Sequence, residues 1–333
     1  MEETMYDVTI VGAGPVGLFT AFYAGMRQMS VKVIDSMPEP GGQLSALYPE
    51  KYIYDVAGYP KVKAQSLVDQ LYEQAQAFDP TMCMGESVEH VTRFEDGTFQ
   101  LVTPEGVHHS KTIIVTAGAG AFSPRKLTLE QAEAYENSCL HYFVKDLKRF
   151  QNRRVLVCGG GDSAVDWALA LNDLASEVTL IHRRDRFRAH EHSLEQLKQS
   201  NVNIRTPYEI SGMTGENGAV QQVTLQQVKG DAADTLDVDD ILVNFGFATN
   251  LGPLKTWGME LSKNAIAVDH KMETTIPGIF AAGDVCTYPG KVKLIASGFG
   301  EAPTAVNYAK SIVEPEAKLH AGHSTSIFET AGV

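Results

Sequence analysis

Two stretches place small residues where a diphosphate could approach the backbone: Gly12-Ala13-Gly14-Pro15-Val16-Gly17 and Gly159-Gly160-Gly161-Asp162-Ser163-Ala164. In such a turn the first glycine permits the tight bend and the second lets the backbone come close to a pyrophosphate. The third small residue allows a following helix to pack against its strand. Free N–H groups and the dipole at that helix's N-terminus then favour an anion. The flanks give the pattern its weight. Residues 7–11 read as a strand, 18–26 as a helix and 31–35 as a second strand, and a strand at 155–158, a helix to about Leu174 and a strand at 178–182 repeat the plan, every landmark offset by 147 residues.

The end of each second strand decides which nucleotide suits each turn. Asp35 is placed to accept hydrogen bonds from ribose hydroxyls, and its charge would repel a 2′-phosphate, which suits FAD or NAD. The matching residue is His182, followed by Arg183, Arg184 and Arg188 in "HRRDRFRAHEH". Guanidinium forks match phosphate oxygens and stay charged, so this end suits NADPH; the bland alternative is a solvated basic loop. A flavin and a nicotinamide together are the pair needed for hydride transfer into an isoalloxazine ring. A third segment, "GIFAAGDV", reads as a buried strand ending at Gly283-Asp284, with a glycine-led helix expected from near Glu301. Asp284 could bond ribityl hydroxyls, and the helix N-terminus would stabilise negative charge on a reduced ring.

The remaining chemistry-bearing residues exclude more than they propose. Cys83, Cys139, Cys158 and Cys286 show no regular spacing, so neither a disulfide framework nor a zinc site is expected. Cys158, inside the second turn, reads as a small apolar packing residue. His190-Glu191-His192 lacks zinc-helix spacing and reads as a polar helix start. With 333 residues, 44% hydrophobic and 21% charged, the chain can build two cores. A formal charge of -13 argues against a nucleic-acid partner. The acidic N-terminus is unlike a signal peptide, and no apolar run approaches the roughly 18 residues of a membrane span, so a cytoplasmic protein is expected.

These elements imply an α/β protein with two Rossmann-like, three-layer ββα dinucleotide-binding domains, one inserted into the other. Glycine-containing stretches at 117–121 and 245–248 mark the crossings. Residues 1–119 and 246–314 form the expected FAD domain, 120–245 the NADPH domain, and 315–333 a polar tail. A hairpin about Asp96-Gly97 and a second one beginning at Ala219 fill the excursions.

The motifs "GAGPVGL", "GGQL", "GGGDSAVDWAL", "HRRDRFR" and "GIFAAGDV" resemble, in this order, the two-domain flavoproteins of the thioredoxin reductase fold. That resemblance implies FAD on the first and last motifs and NADPH in the inserted domain. Thioredoxin reductases carry a Cys-x-x-Cys just ahead of the second glycine turn; here "NSCLHYFVKD" holds Cys139 alone, which removes dithiol chemistry and thioredoxin as a substrate. The longer stretches "GGQLSALYPEKYIYDVAGYP", "GFGEAPTAVNYAK" and "HSTSIFE" are similar to the thioredoxin-reductase-like ferredoxin–NADP reductases of bacteria. These are cytoplasmic homodimers that serve ferredoxin or flavodoxin.

Carried over by motif, the resemblance implies FAD contacts from Gly12, Gly14, Pro15, Gly17, Asp35, Gln43 and Asp284. Tyr48 would stack on one flavin face, the partner subunit's His323 would cover the other, and Ser324 and Thr325 would lie near the ring. Gly159, Gly161, Asp162, Ser163, Ala164, His182, Arg183, Arg184 and Arg188 would hold NADPH. Hydride would pass between NADPH and flavin N5, and electrons would leave singly to the carrier. Such carriers are typically acidic, so a local basic patch is expected from among Arg27, Lys51, Lys61, Lys63, Lys291 and Lys293. The rival readings are an NADPH oxidase or diaphorase serving oxygen or quinones, and a non-catalytic flavin sensor.

Overall fold

The computed structural model describes residues 4–319 except 119, 137 and 145. The chain separates into two compact units, residues 1–121 with 249–333, and residues 122–248.

In the first unit the strand Met5–Val11 lies between Val31–Asp35 and Gly106–Val115, all parallel, in a register that opposes Val8 to Val31 and Ile10 to Ile114. Thr81–Met84 adds parallel beyond Val31–Asp35, and Ile279–Ala281 pairs parallel with Gly106–Val115. Phe99–Thr103 and His90–Arg93 extend the sheet antiparallel, joined through the Asp96-Gly97 turn. Side chains alternate along each strand, so the sheet's two faces build two cores. Val8, Ile10 and Val33 pack with Leu18, Leu67 and Val306 of the helices Pro15–Met26, Ala64–Gln76 and Ile295–Val313. Ile34, Ile113 and Val115 instead pack with Phe99 and Leu101. A parallel sheet covered on both faces needs such unbroken apolar runs. Truncating a fully buried member such as Leu18 to alanine would cost about 2–5 kcal/mol.

The last helix departs from expectation. It begins at Ile295, six residues before Glu301, and carries Pro303 in its interior. Proline favours the first helical turn, which is why a start near Glu301 reads well from sequence alone. The earlier start has a packing reason: a Cβ on Gly298 would lie 2.4 Å from Val16 Cγ2, so the helix uses its glycine to pass close over the first turn.

The second unit repeats the plan with five parallel strands, in the order Asn203–Arg205, Glu177–Ile181, Arg154–Cys158, Asp240–Val243 and Leu140–His141. Leu156, Leu180, Ile241 and Leu242 are fully buried in it. The helix Asp162–Leu171 ends three residues earlier than expected, and Glu191–Gln199 is the helix that follows His190. The excursion is a three-stranded antiparallel sheet, because Tyr208–Glu216 joins the expected hairpin of Ala219–Gln227 and Ala233–Asp237. His141 Nε2 meets Asp240 Oδ1 at 2.7 Å, and Arg153 bonds the other carboxylate oxygen, which ties the edge strand Leu140–His141 and its neighbour Asp240–Val243 to the chain before the central one.

With Leu140–His141 set aside, the third, second, first and fourth parallel strands of each unit in chain order lie side by side in that order. The order reverses at the first strand, and the glycine turn leaves from its carboxyl end, the crevice where open α/β sheets bind ligands. Among the described residues no helix is long and apolar enough to cross a membrane.

Candidate functional site

The three glycines of the first turn do different work. Gly12 has φ +117°, and a Cβ there would lie 2.6 Å from Thr116 O; one on Gly17 would lie 1.8 Å from Gly12 O. Both are glycine so that strand, turn and helix can close on one another. A Cβ on Gly14 would meet nothing within 4 Å, so this residue alone faces open space, as close approach of a ligand requires. Gly14 is also the N-cap of the helix that begins at Pro15, with no side-chain cap and no acidic residue in the first turn. The helix end is therefore left for an anion.

Asp35 closes this turn from the neighbouring strand. Its Oδ2 accepts the Ala13 N–H at 2.5 Å and its Oδ1 the Met37 N–H at 2.8 Å. Burial raises its carboxyl above the ordinary carboxylate value, against the pull of those two donors. Gln43 opens the short helix Gln43–Leu47, whose N-cap Gly42 lies against Gly14: a Cβ on Gly42 would be 3.3 Å from Gly14 Cα. Tyr48 ends that helix, packed on the apolar core, and burial followed by the negative charge of Asp284 pushes its phenol up. Asp284 itself is exposed, in the turn Gly283–Val285 that sits over Val16. The first unit thus gathers Gly12, Gly14, Pro15, Gly17, Asp35, Gln43, Tyr48 and Asp284 about one sheet end. His323, Ser324 and Thr325 lie outside the described residues.

The second turn is built alike, with exchanged parts. Gly159 has φ +151°, with a Cβ there 2.4 Å from Asn244 O, while Gly161 faces open space, its nearest neighbour being Arg188 O at 3.9 Å. Ala164 takes the third position and is fully buried. Asp162 opens the helix and accepts the His190 N–H at 2.9 Å, and Ser163 beside it is exposed. His182 follows the strand Glu177–Ile181; burial, then Arg184, Arg183 and Arg188, hold its imidazole below the ordinary value, with the Arg186 backbone opposing. Arg183, Arg184 and Arg188 are exposed, and their side chains have no hydrogen-bond or carboxylate partner among the described residues. Ser45 Oγ near the first turn and Asn244 Nδ2 beside the second are buried without a hydrogen-bond partner among the described residues. Open backbone, uncapped helix ends and unspent polar atoms all fit dinucleotides.

One residue near the first site escaped sequence reasoning. Glu301 is 5% exposed and accepts the Gly283 N–H at 2.8 Å, the Tyr288 hydroxyl at 2.7 Å and Lys291 Nζ at 2.5 Å. Its bond pushes the Tyr288 phenol up to about 12, and burial, then Glu301, push the Cys286 thiol to about 12. This carboxylate fixes the turn that carries Asp284. The signal was present: Glu301 is the single charge between Lys293 and Lys310, and a lone charge in an apolar run must be paired when buried.

The candidates for the expected basic patch are narrowed by their partners. Lys291 is spent on Glu301, with its side chain 4% exposed, and Lys63 bonds Glu50 at 2.7 Å. Arg27 is buried and donates to Asn307 Oδ1 and to the carbonyls of Lys318 and Leu319. Lys51 lies near the Tyr48 ring and Lys61 over Tyr52, and Lys293 is exposed.

All four cysteines are free thiols. Cys139 is buried, and its Sγ contacts Gly218 O and the Val220 N–H. Cys158 is fully buried, as its packing reading expects. Cys83 comes near Glu86 and His108, with ligand-type atoms within 4.8 Å. Those groups already serve a chain in which Lys32 Nζ meets His108 Nδ1 at 2.9 Å and His108 Nε2 meets Glu86 Oε2 at 3.0 Å.

The family model described as pyridine nucleotide-disulphide oxidoreductase matches residues 6–309. The ferredoxin–NADP reductase of Halalkalibacterium halodurans is 62% identical over 327 residues, covering 98% of this chain and 99% of that one. Ferredoxin–NADP reductase 2 of Bacillus subtilis is 60% identical over 329 residues, again covering 98% and 99%. Among solved structures, thioredoxin reductase of Lactococcus lactis superposes with a TM-score of 0.78 at 27% identity, over 92% of this chain and 99% of that one. With matched glycine turns in both units and likeness along almost its whole length, the chain belongs to the pyridine nucleotide-disulphide oxidoreductase family, in the branch of the ferredoxin–NADP reductases.

Proposed function

We propose that this chain is an FAD-dependent ferredoxin–NADP reductase, which passes electrons between NADPH and ferredoxin or flavodoxin and works as a cytoplasmic homodimer. Residues 1–119 and 246–314 form its FAD domain, 120–245 its NADPH domain, and 315–333 a tail covering the flavin. The observation that carries this reading is the seat of Cys139, a free thiol outside any Cys-x-x-Cys and buried against Gly218 and Val220. Electrons taken from a nicotinamide then have no dithiol to enter and leave for an external carrier.

Bound FAD supplies the chemistry that no side chain here offers, acceptance of a hydride and release of its electrons one at a time. The chain's own work is positioning. Gly14 and the uncapped helix at Pro15 receive the flavin pyrophosphate, Gly12 and Gly17 close the turn beneath it, and Asp35, Gln43 and Asp284 face its sugar and ring edges. Tyr48 would cover one ring face, with the partner subunit's His323 over the other and Ser324 and Thr325 near the ring. Gly161 and the helix start at Asp162-Ser163 receive the NADPH pyrophosphate, with Gly159 and Ala164 closing that turn. His182, Arg183, Arg184 and Arg188 take the 2′-phosphate. Lys61 and Lys293, both exposed, are the basic residues proposed to meet an acidic carrier.

Anaerobic stopped-flow mixing of the purified protein with NADPH, then with ferredoxin or flavodoxin, tests donor, cofactor and acceptor together. NADPH should bleach the flavin absorbance, the carrier should restore it, and the Cys139→Ser variant should do both undiminished. Slow carrier reduction beside fast oxygen consumption would favour an NADPH oxidase or diaphorase. A yellow protein that NADPH leaves unbleached would favour a flavin sensor.

A further inference from the structure

Between the first two motif glycines stands Ala13 in the first turn and Gly160 in the second. Nothing in the nucleotide-turn pattern asks for glycine at that position. Yet a Cβ added to Gly160 would lie 2.3 Å from Cε1 and Nε2 of His182 and 2.4 Å from its Nδ1. Three consecutive ring atoms at nearly one distance place the added atom over the face of the imidazole, since an edge approach would bring one atom clearly closer. An unstrained carbon contact needs roughly 3.5 Å or more, so the His182 ring occupies the space that a side chain at 160 would fill.

The same residue also seats the arginine-bearing arm. Gly160 O accepts the Arg188 N–H at 2.6 Å, Gly161 and Arg188 form a parallel bridge, and Phe187 packs by His182 with ring centroids 5.4 Å apart. The first turn solves the matching position differently. There the strand-end residue is a carboxylate that takes the Ala13 N–H, and the methyl of Ala13 is buried beside it.

We infer that Gly160 is a positioning residue for nucleotide choice: its bare α-carbon seats the face of His182, and that seat sets the course of Arg183, Arg184 and Arg188 toward a 2′-phosphate. The inference rests on the NADPH reading of the second site. It predicts that glycine at 160 matters only while an imidazole stands at 182.

The test is calorimetric titration of the purified protein with NADP+ and with NAD+ in four forms: wild type, Gly160→Ala, His182→Ala and the double variant. Gly160→Ala should weaken NADP+ binding about tenfold or more, as an overpacked contact that must give way, and NAD+ binding far less. In the His182→Ala background the same methyl should change NADP+ affinity by less than about twofold. Equal losses for both nucleotides, or the same loss with and without His182, would overturn the inference and give Gly160 to the pyrophosphate instead. A wild-type protein without preference for NADP+ would sink the reading of the arginines. The seat is then judged by melting temperature, which Gly160→Ala must lower with His182 present and leave unchanged without it; any other result overturns the seat.

Discussion

The two glycine turns share a backbone plan and differ in which position must be bare. In the first, the third motif position admits only glycine, because a Cβ at Gly17 would lie 1.8 Å from Gly12 O, while the middle position carries the methyl of Ala13. In the second, Ala164 fills the third position, fully buried, and the middle position is glycine under an imidazole. Only Gly14 and Gly161 face open space in both. A glycine in such a motif therefore answers to one of two demands, an approaching ligand or a neighbouring atom. The strand ends diverge too: a carboxylate bound to the turn in one, and in the other an imidazole with three guanidiniums that have no partner among the described residues.

The largest expected effect comes from forcing the first turn to resemble the second. Gly17→Ala must move backbone, and overpacking of that kind costs about 1–3 kcal/mol even where side chains can yield. The variant should melt well below wild type and purify without its flavin, whereas Ala164→Gly should cost only about 1 kcal/mol of helix propensity and keep its nucleotide. Matching melting curves for the two would erase the asymmetry. Next comes the replacement of Arg183, Arg184 and Arg188 by glutamine. NADPH affinity should fall on the order of a hundredfold or more, given that a hydrogen bond to a charged group contributes about 1.5–3 kcal/mol, with NADH affinity nearly unchanged. Parallel losses in a fluorescence titration would make the arm a general anion surface.

A smaller change is expected from Asp35→Asn. The variant loses one acceptor for the Ala13 and Met37 N–H groups but no longer buries a charge, so the opposing contributions should leave a net loss of about 1 kcal/mol, read by chemical denaturation. A stabilised variant would show that burial outweighs the bonds. The smallest effect is a pH slope at the matching residue. Folding lowers the His182 pKa below its ordinary 6.5, so the folded state binds fewer protons. Its contribution to stability is full above pH 6.5 and is lost as pH falls through the folded value. Melting temperatures from pH 7.5 down to 5.5 should drop less in His182→Ala than in wild type, and equal drops would remove His182 from the account.

Much of this was legible in the sequence because it depends on local pattern. The strand Val31–Asp35, the Asp96-Gly97 hairpin and both glycine turns follow from periodicity and from residues a few positions apart. What was not legible depends on partners far along the chain. Arg27 reads as a surface charge until Asn307 and the carbonyls of Lys318 and Leu319 surround it, and Lys291 reads as a docking residue until Glu301 faces it one helical segment later. The early start of the last helix depends likewise on Val16, which no local reading of Gly298 could supply. The seat of His182 on Gly160 needs the return of a second strand to the first turn. Local sequence names the positions; only the packed sheet says which atoms meet there.

The pair of Lys291 and Glu301 has one more consequence. Both side chains are almost wholly buried, whereas Lys61 and Lys293 stand at the surface. Dissolved ions screen exposed charges over roughly 10 Å at 0.1 M ionic strength and reach buried pairs far less. Added salt therefore acts on one set of lysines and spares the other. In the proposed reductase, ionic strength would be a dial that weakens the hold on an acidic carrier while the clamp beneath Asp284 keeps its grip.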